Sequence, residues 1–206
     1  MQDLKEISGY RLSLRERILE TAMTAFAQKG VRAVRMDDIA QLLSISKRTL
    51  YEIFENKEVL LFEGVKKFKA QKDEELMELN SESADVMEMI LRIYKKKVEE
   101  FKEISPLFYE DIVRYPSVTS FLESDRAQGY DRFRLFLQRG VNEGYFRNDI
   151  DYDLVLSMFD AAMKLIVGQQ LYLKYSVKEI FQKLIFVLLR GFCTKQGTDK
   201  LDTLIP

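Results

Sequence analysis

Apolar residues recur every three or four positions along nearly the whole chain, and strand-like alternation is scarce. Leu14, Ile18, Leu19, Ala22 and Phe26 line one face of a first helix, which Ser13 and Glu16 open as a capping box and Gly30 stops. A second helix spans about Met36 to Leu43, with Asp37 and Asp38 in the first turn, where the helix dipole favours acids. Ser46 caps a third, about Lys47 to Phe54, and Asn56 caps a fourth that ends a little before Ser81. Ser81 to Ser83 reads as a loop before a fifth helix, about Ala84 to Ile104. Ser105 followed by Pro106 opens a short sixth, and Tyr115-Pro116-Ser117 breaks the chain again. The seventh runs about Val118 to Glu143 and stops at Gly144; the eighth starts at Asp151 and runs about Tyr152 to Tyr175. Ser176 with Glu179 caps a ninth that reaches about Cys193, and the polar tail from Thr194 is expected to fray. The pattern predicts an all-α fold of about nine helices. A three-helix head covers 1–58 and a helical body 59–206, with the fourth helix bridging the boundary near Asn56 to Leu60.

Composition narrows the chemistry. Apolar residues make up 47% of the 206, which supports a sizeable core, and the charges nearly cancel to −1. Any contact with nucleic acid must therefore come from a local patch. Histidine is absent, which removes the commonest general base and the commonest metal ligand. No paired carboxylates stand out, so neither an enzyme nor a bound metal or cofactor is expected. The single cysteine, Cys193, allows no internal disulfide and fits a reducing cytoplasm. Met1 to Arg17 is polar and does not read as a signal peptide, and no run approaches the roughly 18 apolar residues of a membrane span.

The densest signal lies between Met36 and Lys57, where two short helices flank a tight turn. Ile39, Ala40, Leu43, Ile45, Leu50 and Phe54 form a buried side. Lys47, Arg48, Thr49 and Tyr51 sit at the start of the third helix, the end that enters a major groove in a helix-turn-helix. Arg48 suits the two acceptors of guanine, and Lys47 the same edge or a phosphate. Ser46 caps the helix on this face. The hydroxyls of Thr49 and Tyr51 suit phosphate oxygens, which fix register rather than sequence. Glu52 can accept from cytosine N4 or pair with a nearby cation. Lys57 stands at a helix start, where a cation opposes the dipole unless a phosphate binds there. Arg35 flanks the other side. Singly, each is equally well a solvated surface charge; together, at this spacing, they point to DNA.

These residues resemble the N-terminal domain of TetR-type transcriptional regulators. Ile39-Ala40, Ile45-Ser46-Lys47, Thr49-Leu50-Tyr51, Phe54 and Lys57-Glu58-Val59-Leu60 match the pattern of that family, as does Gly30 after the first helix. The match covers about residues 14 to 61; beyond it the likeness is one of helix order and length. Arg35 stands where the family often has threonine or serine, Ser44 and Arg48 where it often has glycine. Glu52-Ile53 replaces an aromatic pair. The resemblance implies a homodimer on a palindromic double-stranded operator, with repression relieved by a small effector. Ligand between helices four and eight would bias the pose of helix four and so of the head.

The body supplies material for both roles. The eighth and ninth helices carry apolar residues round more than one face, which predicts a symmetric helical contact between two chains through Met158, Phe159, Ala162, Ile166, Phe181, Leu184 and Leu188. The alternative is that these faces pack within one chain. Candidate lining for an apolar or amphiphilic ligand is Phe101, Phe108, Tyr109, Ile112, Tyr130, Phe133, Met163 and Gln169, the alternative again being ordinary core. Two functions remain: a DNA-binding regulator, most simply a repressor, or a helical sensor or carrier whose head binds a protein.

Overall fold

A computed structural model describes the backbone of residues 2–100 and 104–204, and side chains over 9–100, 104–125 and 129–203. The helices are α1 (Gln2–Lys29), α2 (Met36–Leu42), α3 (Lys47–Ile53), α4 (Lys57–Glu82), α5 (Val86–Glu100), α6 (Pro106–Ile112), α7 (Pro116–Asn142), α8 (Tyr152–Gly168), α9 (Leu171–Lys174), α10 (Val177–Ile180), α11 (Phe186–Phe192) and α12 (Lys195–Leu204). A π-helical turn, Phe181–Ile185, joins α10 to α11. The all-α expectation holds, the only bridge of extended backbone among the described residues being the isolated pair Phe146 and Cys193. None of these helices is long and apolar enough to cross a membrane.

Capping chemistry explains most boundaries. Ser46 Oγ accepts from the Thr49 amide at 3.0 Å, Asn56 Oδ1 from Val59 at 2.9 Å, and Asp151 Oδ1 from Asp153 and Leu154 at 3.0 and 3.2 Å. Ser176 and Glu179 close a reciprocal box at 3.2 and 3.1 Å. Three boundaries and the winding of one helix differ from expectation. The first helix begins at Gln2, not Ser13. No proline precedes Ser13, and Gly9 alone costs only about 1 kcal/mol. The fourth extends through Ser81 to Glu82. The eighth stops at Gly168 instead of Tyr175, because Gln170 turns left-handed at φ +50° and starts the short α9. The expected ninth helix is widened by its π-helical turn. Phe181 and Phe186 are five residues apart, which regular α geometry would place about 140° apart around the axis. The wider turn brings their rings within 5.9 Å of each other and within 5.6 and 5.2 Å of Tyr94.

The residues group into two compact units, 1–73 with 103–121 and 74–102 with 122–206. They do not divide at residue 58: α6 and the start of α7 belong with the head. In the first unit Leu14, Ile18, Leu19, Ala22 and Phe26 of α1 are buried as expected, together with Ile39, Leu50, Phe54, Leu60 and Leu61. Arg15 reaches across to Glu63 at 2.8 Å and lies 5.3 Å over the Phe54 ring, tying three helices.

The core of the second unit is Val86, Met87, Tyr94, Leu137, Phe146, Val155, Leu156, Phe186, Leu189, Phe192 and Leu201. Arg139 holds one end of it, donating to the Asn80 and Ser83 carbonyls, each at 2.9 Å, and to Glu143 at 2.7 Å. Glu143 in turn accepts the Val86 amide at 2.7 Å. Gly144, two residues past the end of α7, takes φ +79°, the conformation that favours glycine at a helix end.

The tail from Thr194 is not frayed. Thr194 donates its hydroxyl to the Gly144 carbonyl at 2.8 Å and its amide to Tyr145 at 2.9 Å. Arg190 pairs with Asp202, and Leu201 is fully buried. The polar residues are the outer face of an amphipathic helix whose inner face completes the core. Burial also pushes the Cys193 thiol up to about 11. Leu201→Ala is expected to destabilise this unit by about 3 kcal/mol through the cavity it leaves. A lowered urea midpoint at unchanged slope checks it.

Candidate nucleic-acid interface

The pair α2–α3 is built on a buried side and an open side. Ile39, Ala40, Leu50 and Phe54 are at most 2% exposed, and Leu43 and Ile45 are half-buried. The turn between the helices bends at Ser44, φ +54°, and is closed by the Ile45 amide donating to the Ala40 carbonyl at 3.0 Å. A side chain in this left-handed conformation crowds its own backbone, and glycine is the residue that avoids the cost. Ser44 therefore holds a strained position that sequence reading marks only as a departure from glycine.

The open side presents Ser46, Lys47, Arg48, Tyr51 and Glu52 exposed, with Thr49 half-buried. Tyr51 is 48% exposed, a large ring left in water beside buried Leu50. Ser46 and Thr49 hydroxyls lie 2.8 Å apart, so both serve first as the cap. Arg48 donates to Glu52 one turn on at 2.8 Å, and that hydrogen bond raises its affinity for the proton further. Lys47 pairs with Asp37 of α2. Arg35 is exposed at the start of α2, where its backbone amide donates to Asp38 at 2.7 Å. Both basic groups of the α3 start are thus neutralised by neighbouring acids, through exposed pairs worth little and readily exchanged for phosphate or a base edge.

Lys57 sits differently from its expected place at a phosphate. Its ammonium donates to the carbonyls of Val31 and Val34 at 3.0 and 3.1 Å, and burial lowers its pKa. The opposing helix dipole is answered by these carbonyls. Asp111 of α6 joins the same turn: it is 7% exposed and accepts the Arg32 amide at 2.7 Å. Sequence reading missed Asp111, whose only signal is an acid beside the apolar Phe108, Tyr109 and Ile112.

The body residues separate. Ala162 and Ile166 are buried, and Phe159 and Phe181 pack against the core of their own unit. Met158 is exposed, and Leu184 and Leu188 are half-buried. The open stripe of α8 is instead Leu154, Met158, Ala161, Leu165 and Gly168, at alternating spacings of four and three, and Val187 opens a face of α11. Of the candidate ligand residues, Phe108, Tyr109 and Ile112 fall in the first unit and Tyr130, Phe133, Met163 and Gln169 in the second. Tyr130, Met163 and Gln169 are exposed and Phe133 packs on the core; Phe101 lies outside the described residues.

Comparison with known proteins agrees with this geometry. Residues 18–63 match the family described as bacterial regulatory proteins, tetR family. The HTH-type transcriptional repressor KstR2 of Mycobacterium tuberculosis is 28% identical over 158 residues, covering 74% of this chain and 78% of that protein. The HTH-type regulator YhgD of Bacillus subtilis is 42% identical over 64 residues, 30% of this chain and 34% of that one. Among solved structures, a transcriptional regulator from Saccharomonospora viridis in complex with choline superposes with a TM-score of 0.70 at 24% identity, over 89% of this chain and 99% of that one. The ketosteroid regulator KstR2 of M. tuberculosis gives 0.58 at 24% identity, over 88% and 95%.

Relief of the left-handed turn gives a direct check. Ser44→Gly is expected to raise stability by about 0.5–1 kcal/mol, the strain removed less the extra freedom glycine has unfolded. Urea unfolding of the two proteins measures it.

Proposed function

We propose, from the premise that the chain belongs to the TetR family of bacterial regulatory proteins, that it is a homodimeric repressor which reads a palindromic operator with α3 and lets go when a small apolar or amphiphilic molecule binds its body. The observation that carries the DNA reading is the two-sided character of α3. Leu50 and Phe54 anchor it in the core, while Lys47, Arg48, Tyr51 and Glu52 face water. Arg48 then reads guanine, Glu52 accepts from cytosine, and Lys47, Thr49, Tyr51 and Arg35 fix register on phosphates. Ser46 contributes as the cap that aims the helix. Lys57 acts through the turn it holds.

Two heads are needed to read two half-sites about 34–36 Å apart. The open stripe of Leu154, Met158, Ala161, Leu165 and Gly168 on α8, with Val187 on α11, supports pairing with a second copy. Such a face is costly to leave in water, and Ala161 and Gly168 permit close approach. The effector site is best sought around the π-helical turn, where Phe181 and Phe186 meet each other and Tyr94 ring to ring. Relatives named for ketosteroid regulation and a neighbour holding choline support a small organic effector. The signal passes along α4, which contributes residues to both compact units; it is limited to the effector's differential affinity for the two poses.

Fluorescence anisotropy on DNA from the protein's own upstream region, over a salt series and against an unrelated duplex, tests the DNA reading. Tight binding that weakens steeply with salt is expected, with Arg48→Ala costing about 1–3 kcal/mol on the operator. Equal weak binding to both duplexes, followed by an empty selection from random DNA, would overturn it. Pairing is tested separately: Leu165→Glu is expected to convert a dimer to a monomer in sedimentation, and an unchanged dimer would place the interface elsewhere.

A further inference from the structure

The turn between α1 and α2 is gripped by side chains from two other helices. Gly30 takes φ +83°, and Val31 and Val34 are buried to 0% and 2% exposure. Backbone groups in such a place need partners from the protein itself. The Lys57 ammonium at the start of α4 supplies two donors, to the Val31 and Val34 carbonyls. The Asp111 carboxylate, from α6, accepts the Arg32 amide at 2.7 Å. Ser105, the cap of α6, donates its amide to the Ala27 carbonyl at 2.7 Å, a second tie between α6 and the end of α1. The approach is close: a Cβ on Gly30 would meet Leu107 Cβ at 2.9 Å and Asp111 Oδ2 at 3.0 Å. Glu58, next to Lys57, accepts the Ser117 hydroxyl at 2.9 Å and ties α4 to the start of α7. Met36, the first residue of α2, follows Val34 by two positions and is itself buried.

We infer that Asp111 is a positioning residue for DNA recognition: from α6 it fixes the α1–α2 turn, and through that turn the aim of α2 and α3. The inference rests on the DNA-reading role proposed above. Its physical content is the hydrogen bond. The Arg32 amide is part-buried between buried Val31 and Val34, and without its acceptor it is left as a poorly solvated donor that the turn must shift to satisfy. Asparagine in place of Asp111 keeps a side-chain oxygen at that point and loses only the charge. Alanine loses both. Lys57 cannot substitute, because it donates to the carbonyls and has nothing to offer an amide. Affinity for an unrelated duplex rests on phosphate charge and tolerates a small change of aim, whereas base reading does not.

Two measurements on the full-length protein test this. Hydrogen exchange of the Arg32 amide needs no DNA: protection is expected in the wild type and in Asp111→Asn, and faster exchange by about tenfold or more in Asp111→Ala. Anisotropy on the selected operator is expected to show about tenfold loss for Asp111→Ala, near recovery for Asp111→Asn, and unrelated-duplex affinity within about twofold throughout. Unchanged exchange in Asp111→Ala would overturn the grip. Faster exchange with unchanged operator affinity would overturn the positioning role. Equal loss on both duplexes with a lowered melting temperature would reduce Asp111 to general stability and overturn it too. If the wild type bound no selected duplex, the function proposed above would fail by itself, and the exchange measurement would still decide whether Asp111 holds the turn.

Discussion

Backbone polar groups shielded by the buried side chains of Val31 and Val34 need partners from the protein, and the head is arranged round that constraint. Residues 31–34 lie between α1 and α2, outside any helix that would pair them internally. Their partners come from α4 and α6 as side chains, Lys57 and Asp111, which are separated by more than fifty positions in the chain. Each of these is a charged group drawn out of water, and each is compensated by hydrogen bonds and by the opposite charge of the other nearby. Either side chain alone would leave part of the turn unmatched. The pair fixes where α2 begins, and α2 carries the turn that aims α3.

Electrostatics on the reading face follows a second constraint. A chain with net charge −1 has no general attraction for a polyanion. The bases of α3 are moreover held by acids: Lys47 by Asp37, and Arg48 by Glu52. These exposed pairs are weak and readily exchanged, and on the proposed reading the acids stay beside the groove after DNA displaces them. A carboxylate beside a phosphate or a base acceptor is repelled; one beside cytosine N4 is satisfied. On the DNA reading proposed above, Glu52 penalises most sequences and favours few, which raises discrimination at some expense of affinity.

The sequence pattern reached the head more fully than the body, for physical reasons. Ile39, Ala40, Leu50 and Phe54 lie on short helices with local caps, so their burial follows from spacing alone. Ser46, Asn56, Ser105, Asp151 and Ser176 act where the capping rules place them. Long-range partners were out of reach. Nothing near Lys57 indicates that its ammonium ends on carbonyls 23 and 26 residues earlier, and nothing near Asp111 indicates a partner 79 residues away. The tail's polar composition hides its periodicity: Leu201 and Gly197 form the buried face of an amphipathic α12. The π-helical turn misled because an apolar run reads as helix of either width.

Apolar excess on α8 and α11 has the same origin. Interior and open positions there are alike mostly apolar, so hydrophobicity does not say which face meets its own core. Backbone geometry separates them. Ala162 and Ile166 turn inward, whereas Leu154, Met158, Ala161 and Leu165 stay open on one stripe of alternating four and three. A stripe at that spacing is the seam along which two helices meet side by side, and a small residue at two of its five places shortens the approach. The candidates first read from sequence mixed this seam with the core because both satisfy the same periodicity, one rotated about the helix from the other. A contact that pairs two copies must use the open face, and on α8 this stripe is its longest run.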